Sequence, residues 1–139
     1  MVNRIAVAGV ALSVAVVAGC TPRPQDPQSA TASVTVNGNS STFHNVKCSQ
    51  VEWYRKIDIG GDFAGATVAV DEHSERANVN SVRIRNLAGF TGMYSQGGDG
   101  DANSSLSSGK FTITGTAHGY KADNPNEPAT ATFKIVVSC

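Results

Sequence analysis

A thiol preceded by small side chains, Val17-Ala18-Gly19-Cys20, is the arrangement in this chain best suited to covalent chemistry. The thiol can carry a thioether-linked diacylglycerol. Small residues before it let the extended segment enter a peptidase cleft, and cleavage after Gly19 frees an amine for a further acyl chain. Ahead of this box stand a positive region with Arg4 and an apolar run over residues 5–17, the layout of a secretory signal. That thirteen-residue run is too short to cross about 30 Å of hydrocarbon as a helix, so it reads as a cleavable signal rather than a membrane span. The expected organisation is a signal peptide over residues 1–19, a lipidated Cys20 with a tether through residue 33, and a single β domain over residues 34–139. The chain is expected to be exported and held by acyl chains at the extracytoplasmic face of a membrane, with no cofactor beyond those chains.

Cys48 and Cys139 are the two other cysteines. Once Cys20 is consumed by lipid they form an even pair in an oxidising compartment, where a disulfide is the default. A metal pair or a catalytic thiol lacks support, because neither has a CxxC partner. Other arrangements that could do chemistry fail on spacing. Asp99 and Asp101 in the glycine-rich stretch 97–103 offer hard oxygen ligands. A calcium loop starting at Asp99 would need glycine at Ser104 and a bidentate glutamate where Lys110 stands. His44, His73 and His118 have no metal-ligand spacing, no serine lies in a GxSxG elbow, and no phosphate-binding glycine loop precedes a helix. Asp71, Glu72 and Glu75, beside His73 and Arg76, read as solvated loop charge. The residues make no positive case for an enzyme.

Removal of the signal leaves ten basic and eleven acidic residues, a balance that points away from a nucleic-acid partner. Arg83 and Arg85 alternate with Val82 and Ile84 as the wet face of a strand would. The tether carries Pro22, Pro24 and Pro27 and no large apolar side chain, a composition that cannot bury a core. Extended, it would hold the domain up to roughly 40 Å from the bilayer.

The elements that must follow are strands. Apolar residues recur with period two at Val34 and Val36, at Val46 and Cys48, and at Val51, Trp53, Ile57 and Ile59. The pattern continues at Ala66, Val68 and Val70, at Val82 and Ile84, at Phe111 and Ile113, and at Phe133, Ile135, Val137 and Cys139. Cys139 is thereby expected on the core side of the last strand, where a bridge to Cys48 is protected. A parity change near Ser49-Gln50 predicts a bulge or turn. Asn37-Gly38, Gly60-Gly61, Gly97-Gly98, Ser108-Gly109 and Asn124-Pro125 are turn markers, and residues 71–78 read as the widest loop. The glycosylation-type triplets at Asn39 and Asn103 are expected in turns. About seven to eight short, mostly antiparallel strands with one disulfide predict an all-β β-sandwich or partly open barrel.

The lipobox, the Val34-Thr35-Val36-Asn37-Gly38 strand and turn, Val46-Lys47-Cys48, and Ile57-Asp58-Ile59-Gly60-Gly61 together carry a specific likeness. So do Asn80-Ser81-Val82, Tyr94 with the glycines after it, and the run from Phe111 through His118 to Gly119. Asn124-Pro125 with Pro128 and the terminal stretch from Phe133 to Cys139 complete it. In these features the chain resembles the mycobacterial nineteen-kilodalton lipoprotein antigen family. The resemblance implies a lipidated surface antigen whose acylated amino terminus is sensed by a host pattern-recognition receptor, Toll-like receptor 2. It also implies a role in carrying or transferring an apolar ligand. Cys20 alone carries over as a functional position. The tether departs from the family in being rich in Pro and Gln, and the Glu52-Trp53-Tyr54-Arg55-Lys56 stretch is more aromatic and charged. Trp53, Tyr54, Phe63, Phe90 and Tyr94 are the candidates to line a ligand cleft.

Overall fold

The computed structural model describes Gly19 and residues 30–139. The signal-peptide reading, the lipidation site Cys20 and most of the tether lie outside the described residues. Ten antiparallel strands make up the domain, with no helix among the described residues. They are β1 (Ala32–Val36), β2 (Asn39–Phe43), β3 (Val46–Val51), β4 (Tyr54–Gly60), β5 (Gly65–Asp71), β6 (Asn78–Leu87), β7 (Phe90–Ser95), β8 (Ala102–Ser107), β9 (Lys110–Lys121) and β10 (Asn124–Ser138). The first strand begins at Ala32, inside the stretch read as tether, because Ala32 and Ser33 pair with Val137 and Val136.

Alternation dictates both strand identity and which face turns inward. In β1 and along the end of β10 every second residue is buried, so Val34, Val36, Phe133, Ile135 and Val137 share the inner face. Ile57, Ile59, Val68, Val70, Val82 and Ile84 do the same in β4, β5 and β6. Asn37-Gly38 and Ser108-Gly109 both hold positive φ at their two residues, the twist that two-residue hairpin loops need, and so set the β1–β2 and β8–β9 registers.

The strands form one sheet in the order β2-β1-β10-β9-β7-β6-β5-β4-β3, with β8 paired to β9 off this path. β9 is the branch point. Its first half, Lys110 to Gly115, pairs with β8, and its last residues, His118 to Lys121, pair with β7. The sheet there folds over itself into two layers. A Cβ at Gly60 would lie 3.0 Å from the Phe43 ring at the end of β2. Cys139, after β10, is bonded to Cys48 of β3. The Arg55 guanidinium lies 5.1 Å from the centre of the Phe111 ring at the start of β9, and Ser104 Oγ of β8 donates to the Ala77 carbonyl at 2.5 Å. The ends of β2, β10, β9 and β8 thus meet the β3–β4 edge and the β5–β6 loop in sheet order. The single sheet therefore curls back on itself and approaches a closed barrel.

The interior is filled. The buried side chains are all hydrophobic, with Phe90, Phe111, Ile57, Ile59, Ile84, Ile113 and Ile135 the largest of those fully enclosed. The Cys48–Cys139 bridge forms as expected, with Cα atoms 5.8 Å apart. It sits on the rim rather than in the core: Cys48 is half-buried and Cys139 exposed. The reason is that β10 ends where it meets an edge strand, beyond the last core residue Val137.

Three further differences have local causes. The β3–β4 reversal is a two-residue turn at Glu52-Trp53, with Val51 opposite Tyr54, so the parity change reflects a hairpin slightly beyond Ser49-Gln50. Asn39 and Asn103 lie in β2 and β8, not in turns, because each pairs with a partner on one side (Val36 and Thr114). β2 and β8 each border one neighbour and bury almost nothing, which leaves them polar and without the apolar alternation that reveals an inner strand.

Replacing both Cys48 and Cys139 with serine opens a connection that spans 91 residues. The double variant is expected to lose about 4 kcal/mol of stability in urea unfolding. A loss below about 1 kcal/mol would mean that the packed layers alone hold the closure.

Candidate functional site

The five aromatic residues proposed for a cleft do not share a surface. Phe90 and Tyr94 point inward from β7 into the core. Trp53 and Tyr54 stand at the β3–β4 turn, while Phe63 occupies the β4–β5 turn at the opposite end of β4. All three are more than half exposed.

Around the first turn a polar cluster fixes the hairpin tip. Arg55 Nε donates to Glu72 Oε1 at 3.0 Å, Gln50 Nε2 donates to Glu72 Oε2 at 3.1 Å, and Arg55 Nη2 donates to Gln50 Oε1 at 3.0 Å. The same guanidinium covers Phe111, so one side chain joins β4, the β5–β6 loop and β9. The ring of Trp53 meets His73 edge-on at 5.2 Å. Beside this cluster an open hollow of about 500 Å³ is lined by residues that include Glu72, Glu75, Arg76, Ser104 and Leu106.

A second hollow, of about 410 Å³, lies on the outer face of β6, β7 and β9. The registers Arg83↔Met93 and Met93↔His118 set those three side chains in one row, and Thr91↔Tyr120 forms the next. Gly92 and Gly119 pair directly beneath it. A Cβ at Gly119 would collide with the Thr91 carbonyl, so only glycine lets β7 and β9 approach here. Arg85 is committed, with Nη1 donating to Thr67 Oγ1 at 2.7 Å while Thr67 Oγ1 donates to Asp58 Oδ1 at 3.1 Å. Arg83 is exposed and makes no side-chain hydrogen bond among the described residues. The arginine pair was visible in the sequence as a wet strand face. The groove was not, because Met93, His118 and Tyr120 come together only through the pairing of β7 with β9.

No catalytic grouping assembles among the described residues. His118 Nδ1 lies 3.3 Å from Thr130 Oγ1, His73 faces Trp53, and no three His, Cys, Asp or Glu side chains converge as a metal site. Asp99 and Asp101 flank Gly100, whose positive φ marks a turn. No helix of the described residues is long and apolar enough to cross a membrane.

Fold and surface therefore define a small disulfide-closed β module that presents exposed aromatic and cationic features on a filled interior. It belongs to the Mycobacterium 19 kDa lipoprotein antigen family, whose sequence profile matches residues 25–139. The chain is 58% identical to a putative lipoprotein of Mycobacterium indicus pranii over the full length of both. It is 31% identical to the probable lipoprotein LppE of Mycobacterium tuberculosis, again over both full lengths. Lipoprotein LpqH of Mycobacterium tuberculosis is 30% identical, with 97% of this chain and 96% of that one covered. This is an envelope-associated lipoprotein of an antigen family.

Arg55→Ala removes an ion pair, a hydrogen bond and a cation–π contact at once, and is expected to cost about 1–3 kcal/mol. Arg83→Ala should change stability by less than about 0.5 kcal/mol. Parallel urea titrations of the two variants check the contrast, and equal losses would remove the structural role given to Arg55.

Proposed function

We propose that the chain is a non-enzymatic lipoprotein, held at the extracytoplasmic face of the cell membrane by acyl chains on Cys20, with its β domain tethered to them through residues 21–31. The observation that carries this reading is that a complete lipobox, Val17-Ala18-Gly19-Cys20, heads a chain of a lipoprotein family. Each buried methylene contributes about 0.8 kcal/mol, and stable anchoring takes two chains, so two or three acyl groups on one residue hold the protein unaided. The acylated amino terminus is also the part that Toll-like receptor 2 engages in this reading. Acyl chains enter an apolar receptor channel, and Thr21, Pro22 and Arg23 lie at its mouth. The folded domain takes no direct part in that contact.

A second reading, carriage of an apolar or glycolipid ligand, draws support from the groove over β6, β7 and β9. Because the interior is filled, such a ligand would lie against Met93 and Tyr120 on the outside, with Arg83 free to meet an anionic group. Native mass spectrometry of protein from its own host tests this, and the absence of any co-purifying lipid would end it.

Cys20→Ala is expected to abolish acyl mass, detergent-phase partition and receptor reporter activation together, while the Cys48–Cys139 bridge and β-type circular dichroism persist. Retention of acyl mass and membrane partition in the variant would overturn the anchor assignment.

A further inference from the structure

Seven large hydrophobic side chains are exposed among the described residues, and five of them lie along one rim, the β3–β4 edge of the domain, four toward one end of β4 and Phe63 at the other. Val51, Trp53 and Tyr54 form the β3–β4 tip, Phe63 lies in the β4–β5 turn, and Leu106, one residue before the end of β8, pairs with Phe111 beneath Arg55. Phe63 is 84% exposed and Val51 74%, values that packing within the domain does not explain.

The anchor segment enters the fold in the middle of this same rim. The Thr31 carbonyl accepts the Ser138 amide at 3.3 Å, and neighbouring Cys139 is bonded to Cys48, three residues before Val51. On the other side Ala32 pairs with Phe43, whose ring packs at Gly60, three residues before Phe63. Thr31 lies eleven residue steps beyond Cys20, a reach of at most roughly 40 Å.

We propose that this rim is the face on which the folded domain rests against the bilayer that holds Cys20, with Trp53 and Tyr54 at headgroup depth. It rests on the anchor reading above. Indole and phenol rings combine an apolar body with a polar edge, the chemistry of a membrane–water boundary. Charge along the rim is mixed: Lys47 and Lys110 are exposed, Lys56 pairs with Asp58 at 3.2 Å, Arg55 pairs with Glu72 at 3.0 Å, and Glu52, Asp62, Glu75 and Arg76 are exposed beside them. Aromatic burial, not attraction to anionic lipid, therefore drives the contact. Four or five side chains would be a weak membrane binder in free solution. A short tether raises the effective concentration of the surface to the millimolar range, where weak contacts are occupied.

Trp53 is the only tryptophan and reports directly on this contact. The mature chain is to be coupled through its Cys20 thiol to a maleimide lipid, with Cys48 and Cys139 disulfide-bonded, in phosphatidylcholine vesicles with and without phosphatidylglycerol. Coupling makes the result independent of native acylation, so an acyl-free native protein would sink the anchor reading alone. The expected outcome is a blue-shifted Trp53 emission, roughly halved by lipids brominated near the headgroups, at low and high salt alike. The paired change V51S/Y54S should restore water-like emission with the disulfide intact. In W53F/M93W, which moves the indole to the β7 outer face, quenching should be absent. Water-like, unquenched Trp53 on vesicle-bound protein would overturn the proposal. So would a blue shift without bromine quenching, which would place a second protein surface on the rim.

Discussion

The two ends of the sheet path, β2 and β3, meet without a backbone ladder, and no pairing joins them among the described residues. Closure is carried instead by side chains that reach from strand ends to an edge: the Phe43 ring at Gly60, the Cys48–Cys139 bridge, and Arg55 over Phe111. This changes what the disulfide does. In a fully laddered barrel it would reinforce hydrogen bonds already made, whereas here it is the covalent member of a seam that has no ladder. The seam also protects β3, an edge strand whose unpaired backbone would otherwise be a template for association.

The same geometry explains why the core can be composed of small side chains. The curled sheet encloses an interior that Val, Ile and Ala on alternate positions fill, with Phe90, Phe111 and Phe133 entering from β7, β9 and β10. Phe90 lies over Gly92, and Gly115 receives Phe133, so each ring occupies space that a neighbouring side chain gives up. A cleft between the layers would require withdrawing at least one of these rings. The first strand completes the fold only by pairing with the last, β1 with β10. Contacts this distant in sequence make folding slow. That is a physical reason for the closure to be made covalent in a domain of modest size.

Much of this was legible in the chain. Period two at Phe111 and Ile113 and at Phe133, Ile135 and Val137 assigned the inner faces, and Asn37-Gly38 and Ser108-Gly109 marked real reversals. Sulfur parity found the disulfide partners. Period alone does not reveal strands with no buried face, which is why β8, with Ser104, Ser105 and Ser107, left no signal. Nor does residue type distinguish an aromatic that packs from one that protrudes. Phe90 and Tyr94 share parity across Gly92 and go inside, whereas Phe63 follows Gly60-Gly61-Asp62 in a turn and goes out. The groove over Gly92 and Gly119 depends on a long-range pairing that no local pattern contains.

In the proposed arrangement anchoring and folding are separable, and the separation sets what each contributes. In that arrangement, acyl chains on Cys20 supply membrane affinity without help from the domain. The domain's surface is therefore free to determine orientation, a job that needs only small differences in free energy between faces. At such a scale a few side chains suffice, because roughly 1.4 kcal/mol shifts a two-state population tenfold. With the rim of Val51, Trp53, Tyr54 and Phe63 turned toward the bilayer, the outer face of β6, β7 and β9, which lies away from that edge in sheet order, stays accessible to solvent. Arg83, Met93 and Tyr120 would then be presented outward by the same tether that seats the aromatic edge. Which way the apolar rim and the cationic groove would face is thus set by where the first strand, and the tether before it, enters the sheet.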